Sequence, residues 1–237
     1  MPDAGDVSAG PVQQTRRPRG ARPHRAARAV AGIEVGVAAV LVLLDLLVPS
    51  LVLLAMAGLS LALRRTGPAS LGLVRPGRPW RLAGEMLVAA AVLALVDVGL
   101  VIPALEHVTG ERQDTSGFAE LQGNLALLAV LLVLSWTLAA FAEEAAFRGY
   151  LLTRTVEALG GARWAMPAAI LATAVLFAAI HTEQGAVGVV TAGFDGAVLG
   201  GLRWWKGTVW APVLAHGFDN TIGFVAFFLV GPVGGLW

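Results

Sequence analysis

Residues 29–63 are almost entirely Ala, Val, Leu and Gly, a run of about 35 where one membrane crossing takes about 20. Pro49-Ser50 interrupts the run, and proline breaks a helix interior by removing a backbone donor, so it divides into helices at 29–48 and 50–64, the second short. Further apolar runs at 85–104, within 124–153, and at 166–183, 185–202 and 208–230 carry the pattern almost to Trp237. Composition agrees: 57% hydrophobic, 14% charged and a mean hydropathy of +0.73, against roughly 45–50% apolar and about 25% charged in soluble domains. The fold class is therefore all-α, a polytopic transmembrane helical bundle of about seven spans.

Charge is placed unevenly along this chain. Residues 1–28 hold Arg16, Arg17, Arg19, Arg22, Arg25 and Arg28 among Pro, Gly and Ser without apolar periodicity, which predicts a disordered basic tail ahead of a membrane domain over 29–237. The stretch around Arg64, Arg65, Arg75, Arg78 and Arg81 is a second basic loop, with Trp80 at the interface, whereas 105–123 carries acids and a single Arg. Cationic flanks stay in the cytoplasm, so the N-terminus and the basic loops are expected there and 105–123 outside. The same rule explains the tail through topology and anionic lipid, so membrane lipid is the expected partner and nucleic acid is not. Cysteine is absent, which removes disulfides, thiolate metal sites and a Cys nucleophile. A cleaved signal peptide is not expected, because the first apolar run follows a long polar tail and outlasts a signal h-region.

Ionisable groups inside a span cost roughly 2.5–3.5 kcal/mol each on insertion scales and need a partner or a wet cavity. The stretch FAEEAAFRGYLL, 141–152, contains the densest set. Glu144 and Arg148 are four residues apart, on one helix face, and can neutralise one another. Glu143 is turned about 100° away and is left over for chemistry. Two histidines fall in late spans: Phe177 and His181 share one face, as do His216 and Asn220. At about 1.5 Å per residue Glu143 lies roughly 16 Å deep, His181 roughly 21 Å and His216 roughly 14 Å, so a shared polar cavity is expected near mid-membrane. Glu34 and Glu183 also count as ionisable groups within spans. Asp45 and Asp97 read as interhelical hydrogen-bonding groups, Asp195 as a cavity-lining or interhelical group, and Asp219 as facing elsewhere. Trp204, Trp205 and Trp210, with Arg203 and Lys206, read as an aromatic belt. Gly196 and Gly200 read as contacts for close helix packing.

The pieces EEAAFR at 143–148, FAAIH at 177–181 and HGFDN at 216–220, in this order on separate spans, resemble the CPBP family of intramembrane proteases, which includes CAAX prenyl endopeptidases and bacterial Abi or bacteriocin-immunity proteins. The resemblance covers about 130–230. It implies a multi-pass hydrolase of a bacterial plasma membrane in which Glu143 activates a water. His216 and Asn220 would stabilise the oxyanion or orient that water, His181 would complete the site, and Glu144, Arg148 and Phe177 would support it. The implied substrate is a membrane-bound or lipidated peptide or protein.

Water attack on an amide needs a base and a stabiliser of the developing oxyanion. The preferred reading is glutamate-activated water with no obligatory cofactor. The alternative is zinc held by Glu143, His181 and His216 with water in the fourth position, although the HExxH signature is absent. Two other classes stay open: a non-catalytic bacteriocin-immunity or scaffold protein, and an ion-coupled transporter, for which no pair of Gly/Pro-broken repeats is evident.

Overall fold

The computed structural model describes residues 24–45 and 48–232. Among them there is no strand. The chain runs as α1 (Arg25–Leu43), α2 (Pro49–Arg64), α3 (Pro79–Val96), α4 (Ile102–Thr109), α5 (Leu125–Leu134), α6 (Leu152–Ala158), α7 (Ala165–Ala179), α8 (Gly185–Lys206) and α9 (Trp210–Val230). Wider π turns join α3 to α4 and α5 to α6, so Pro79–Thr109 and Leu125–Ala158 are each one continuous helical rod. Pro49 and Pro79 sit in first turns, where a missing N–H costs nothing. The Asn124 side chain caps α5 by accepting from Leu127 N at 3.0 Å.

Five helical stretches are long and apolar enough to cross a membrane: Arg25–Leu43, Pro79–Thr109, Leu125–Ala158, Thr182–Lys206 and Trp210–Val230. Pro49–Arg64 and Ala165–Ala179 are shorter apolar helices that reach only about 22–24 Å at 1.5 Å per residue. Large apolar side chains face outward, among them Leu63 and Leu95 at 74% exposure. Water would not tolerate such a surface and hydrocarbon does, so the chain is a multi-pass membrane protein.

Several boundaries differ from expectation. The tail expected over 1–28 lies outside the described residues as far as 23, but Arg25–Arg28 already form the first turn of α1, where Arg28 Nε donates to Ala158 O at 3.4 Å. The third span begins at Pro79 rather than 85, with Trp80, Arg81 and Glu85 inside it. Arg81 and Glu85 are an i,i+4 pair at 2.8 Å, a charge pattern suited to a helix end at the headgroup level as much as to a loop. Asp45 lies in the turn after α1 at φ 48°, not within a helix.

Four packings hold the bundle: α3 on α9, α7 on α8, α1 on α6, and the π segment Ser135–Glu143 on α9. Small residues permit the second of these. A Cβ on Gly196 would come within 3.2 Å of Ala174 Cα, and one on Gly200 within 2.9 Å of an Ile170 methyl. Where α1, α2 and α6 meet, Glu34 and Glu157 alternate with Arg64 and Arg154 in a closed network of ion pairs at 2.8–3.2 Å. Ser60 Oγ adds a hydrogen bond to Glu34 at 3.1 Å. The network places Arg64 and Arg154 at the same end as the basic loop, while Asp114 N donates to Gln184 O at the opposite end.

Candidate functional site

The rod from Leu125 to Ala158 carries both carboxylates of FAEEAAFRGYLL, in a region where the backbone is π-helical on either side of Glu144. Such widened turns recur at functional sites, because they re-aim side chains within a helix. Arg148 Nη1 donates to Glu144 Oε1 at 2.7 Å, with 0% of the Glu144 side chain and 1% of the Arg148 side chain exposed. Arg148 Nη2 donates to Gly196 O at 3.1 Å, which ties this rod to α8. The Arg148 guanidinium also lies 4.1 Å from the Phe177 ring centroid, a cation–π contact with α7.

His216 adds what local spacing could not show. Its Nδ1 lies 3.0 Å from Glu144 Oε1, so the histidine of α9 binds Glu144 and not Glu143. A carboxylate only accepts, hence Nδ1–H donates and the other ring nitrogen is left for the cavity. Glu144 thus joins Arg148 and α9 at one oxygen. Phe177 packs against the rings of Phe147, His181 and His216 at centroid distances of 5.3, 4.6 and 6.1 Å.

His181 is not on the α7 face that its spacing from Phe177 predicts. The helix stops at Ala179, and His181 stands in the turn before Gly185, whose φ of 71° favours glycine. Its ring still reaches Phe177, because Nδ1–H donates to Phe177 O at 2.8 Å. The depth estimate for His181 is corrected accordingly: it sits at the end of a short helix. Glu183 is in the same turn and exposed, rather than within a span.

Glu143, His181, His216 and Asn220 all line one cavity of about 440 Å³. Glu143 Oε2 is buried there with no hydrogen-bond partner among the described residues. Phe118, Phe224 and Phe227 form its aromatic side, with ring centroids 5.3 and 6.3 Å from Phe118. The mouth is framed by the segment 110–124 and the turn at 181–184. Gln113 Nε2 donates to Gln184 Oε1 at 3.3 Å there. Ser116 hydrogen bonds to Asp114 keep that exposed carboxyl below its ordinary pKa.

A smaller chamber of about 120 Å³ adjoins, sharing His181, His216, Asp219 and Asn220 and adding Thr191 and Asp195. Asp219 therefore faces the site and not elsewhere. The Asp195 carboxyl of this chamber lies close enough to that of Asp97, on another helix, for the two to interact electrostatically. Gln113, Gln184 and Thr191 escaped sequence reading, which weighed only ionisable groups and motif partners. Trp136 escaped it too, although its ring packs on Gly217 and Nε1 donates to Thr221 Oγ1 at 3.2 Å, bracing the α9 turn that carries His216.

Among the described residues no group of three or more His, Cys, Asp or Glu side chains is arranged to hold a metal ion. Glu143, His181 and His216, the set that would hold zinc, line one cavity without being gathered as ligands; Nδ1 of each histidine is engaged and its Nε2 is left free.

A membrane-embedded helical bundle with a buried Glu-Arg pair and a carboxylate facing two histidines and an asparagine defines the class. Residues 125–222 match the family model described as type II CAAX prenyl endopeptidase Rce1-like. The match agrees with the CPBP resemblance carried by the three motifs. Among curated proteins and among solved structures nothing matches the chain.

Proposed function

We propose that the protein is an intramembrane endopeptidase in which Glu143 activates a water for attack on a peptide bond of a membrane-bound or lipidated substrate. The observation that carries this reading is the convergence of Glu143, His181, His216 and Asn220 on one cavity within an Rce1-like segment. Glu143 takes a proton from water as the oxygen bonds to the carbonyl carbon. The Asn220 amide, and the cavity-facing nitrogen of His216 when protonated, donate to the oxyanion. The C–N bond then breaks, and the proton on Glu143 passes to the leaving amine. His181, held by Phe177 O, presents its second nitrogen to bound substrate. Glu144 and Arg148 orient His216 without touching the reacting atoms. No cofactor enters these steps.

The basic end supports a topology with the N-terminus, the loop around Arg75 and the α8–α9 turn at Gly207 in the cytoplasm. The cavity mouth, beside Asp114 and Glu183, then faces the other side of the membrane.

The test compares membrane peptides by mass spectrometry from cells carrying wild type or Glu143→Gln. Products that vanish in the variant, with the protein folded and present in equal amount, are expected. Identical peptide profiles overturn the protease reading and leave a binding or scaffold protein.

A further inference from the structure

The basic end of the bundle carries a second concave site that shares no lining residue with the Glu143 cavity. One part is a polar pocket of about 330 Å³ between the 74–78 loop, the start of α3 and the α8–α9 turn, with Arg75, Arg78, Arg81 and Lys206 in its lining. Its charge is only partly compensated. Glu85 binds both Arg81 Nε at 2.8 Å and Lys206 Nζ at 2.6 Å, so one carboxylate serves two cations. Arg75 and Arg78 are exposed and have no ion pair or hydrogen bond from their side chains among the described residues.

The second part is an apolar groove of about 580 Å³ that continues from the first through Arg75 and Pro76 and is lined by Pro79, Trp80, Ala83, Trp210 and Leu214. Ala83 follows Pro79 by one helical turn, as Leu214 follows Trp210. The groove therefore extends about 6 Å along both α3 and α9 into the membrane-spanning part of the bundle. Trp80 at 89% exposure and Trp205 at 69% mark the headgroup level on this side, where indole prefers to sit.

Unpaired guanidiniums at headgroup depth, opening on an aromatic-walled groove that runs towards hydrocarbon, match one ligand chemistry: an anionic headgroup joined to an acyl chain. Arg suits it because its planar fork can bind two phosphate oxygens at once. Basic pockets between membrane helices recognise anionic lipid in this way. We infer that this pocket and groove form a binding site for an anionic phospholipid, with the phosphate between Arg75 and Arg78 and one acyl chain against Trp80, Ala83 and Leu214. The inference does not depend on the protease reading.

Native mass spectrometry of the purified full-length protein tests it, with dioleoylphosphatidylglycerol and dioleoylphosphatidylcholine in competition. Wild type is expected to prefer the anionic lipid by about thirtyfold, the scale set by two basic residues acting on one headgroup. The double variant Arg75→Gln/Arg78→Gln alters only exposed side chains and should lose that preference while keeping its melting temperature. Ala83→Phe fills the groove and should weaken retention with the arginines intact. Equal retention of the two lipids by wild type, or an unchanged preference in the double variant, overturns the site. Displacement by free glycerol 3-phosphate as effective as by the lipid shows an anion pocket without an acyl groove, and overturns it too.

Discussion

His216 Nδ1 stands 3.0 Å from Glu144 Oε1, the same oxygen that Arg148 Nη1 meets at 2.7 Å. The two adjacent carboxylates are thereby separated in role: Glu144 is tied through Oε1 to Arg148 and His216, and Glu143 is the carboxylate that lines the cavity. Glu143→Gln keeps the shape and removes the base, so proteolysis should fall by about 10²–10⁴-fold, the usual worth of a positioned base. Melting temperature should stay within a degree or two. Full activity in the purified variant contradicts the assignment.

Arg148 is buried with hydrogen bonds to Glu144 and Gly196, so its loss strands a carboxylate in the core. Removing one partner of a buried pair costs about 3–5 kcal/mol. Arg148→Met should therefore lower the thermal midpoint in detergent sharply, whereas Arg148→Met combined with Glu144→Gln should recover part of it. A double variant no more stable than the single would show that the pair is not the unit.

Gly217 lies under the Trp136 ring, and a Cβ there would sit 2.6–2.7 Å from three ring carbons. Ala at this position must push the indole away from Phe218 and Thr221, which it meets at 5.3 Å and 3.2 Å. Overpacking of this kind costs typically 1–3 kcal/mol. Gly217→Ala should be less stable than wild type, and Gly217→Ala/Trp136→Phe should be closer to it, as read by denaturation in mild detergent.

The helical bundle was legible because each apolar run is long enough to be a helix in lipid, and Pro49 divides the first run. Helix ends were less so. LFAAIH is apolar up to His181 and the turn is signalled only beyond it, by the polar Thr182–Gln184 and by Gly185, so the sequence carries the helix two residues past its break after Ala179. The start of α3 was hidden because Arg81 and Glu85 look like loop charges until their i,i+4 pairing is considered. Glu144 and His216 are 72 residues apart, and no local pattern reports a contact set by how α9 packs on the π turns. Those π turns have no residue signature in SWTLAAFAE that we can identify.

Chelation separates the two hydrolytic chemistries. Among the described residues no three-ligand set is assembled, so dialysis against EDTA should leave proteolysis unchanged. Loss of activity restored by zinc alone would require Glu143, His181 and His216 to rearrange into a metal site and would overturn the glutamate-only mechanism.

Sidedness can be read directly, since the chain has no Cys and each introduced thiol reports alone. Glu183 and Ser116 are exposed near the cavity mouth, while Ser70 is exposed in the loop that leads to the basic end. With the basic loops cytoplasmic, Glu183→Cys and Ser116→Cys should react with a membrane-impermeant maleimide added to intact cells. Ser70→Cys should react only after the membrane is opened. The reverse pattern would turn the protein over in the bilayer and place the Glu143 cavity on the cytoplasmic side. On the proposed reading the answer selects the substrate pool, because Gln113 and Gln184, which line the Glu143 cavity, lie at the labelled end of the bundle.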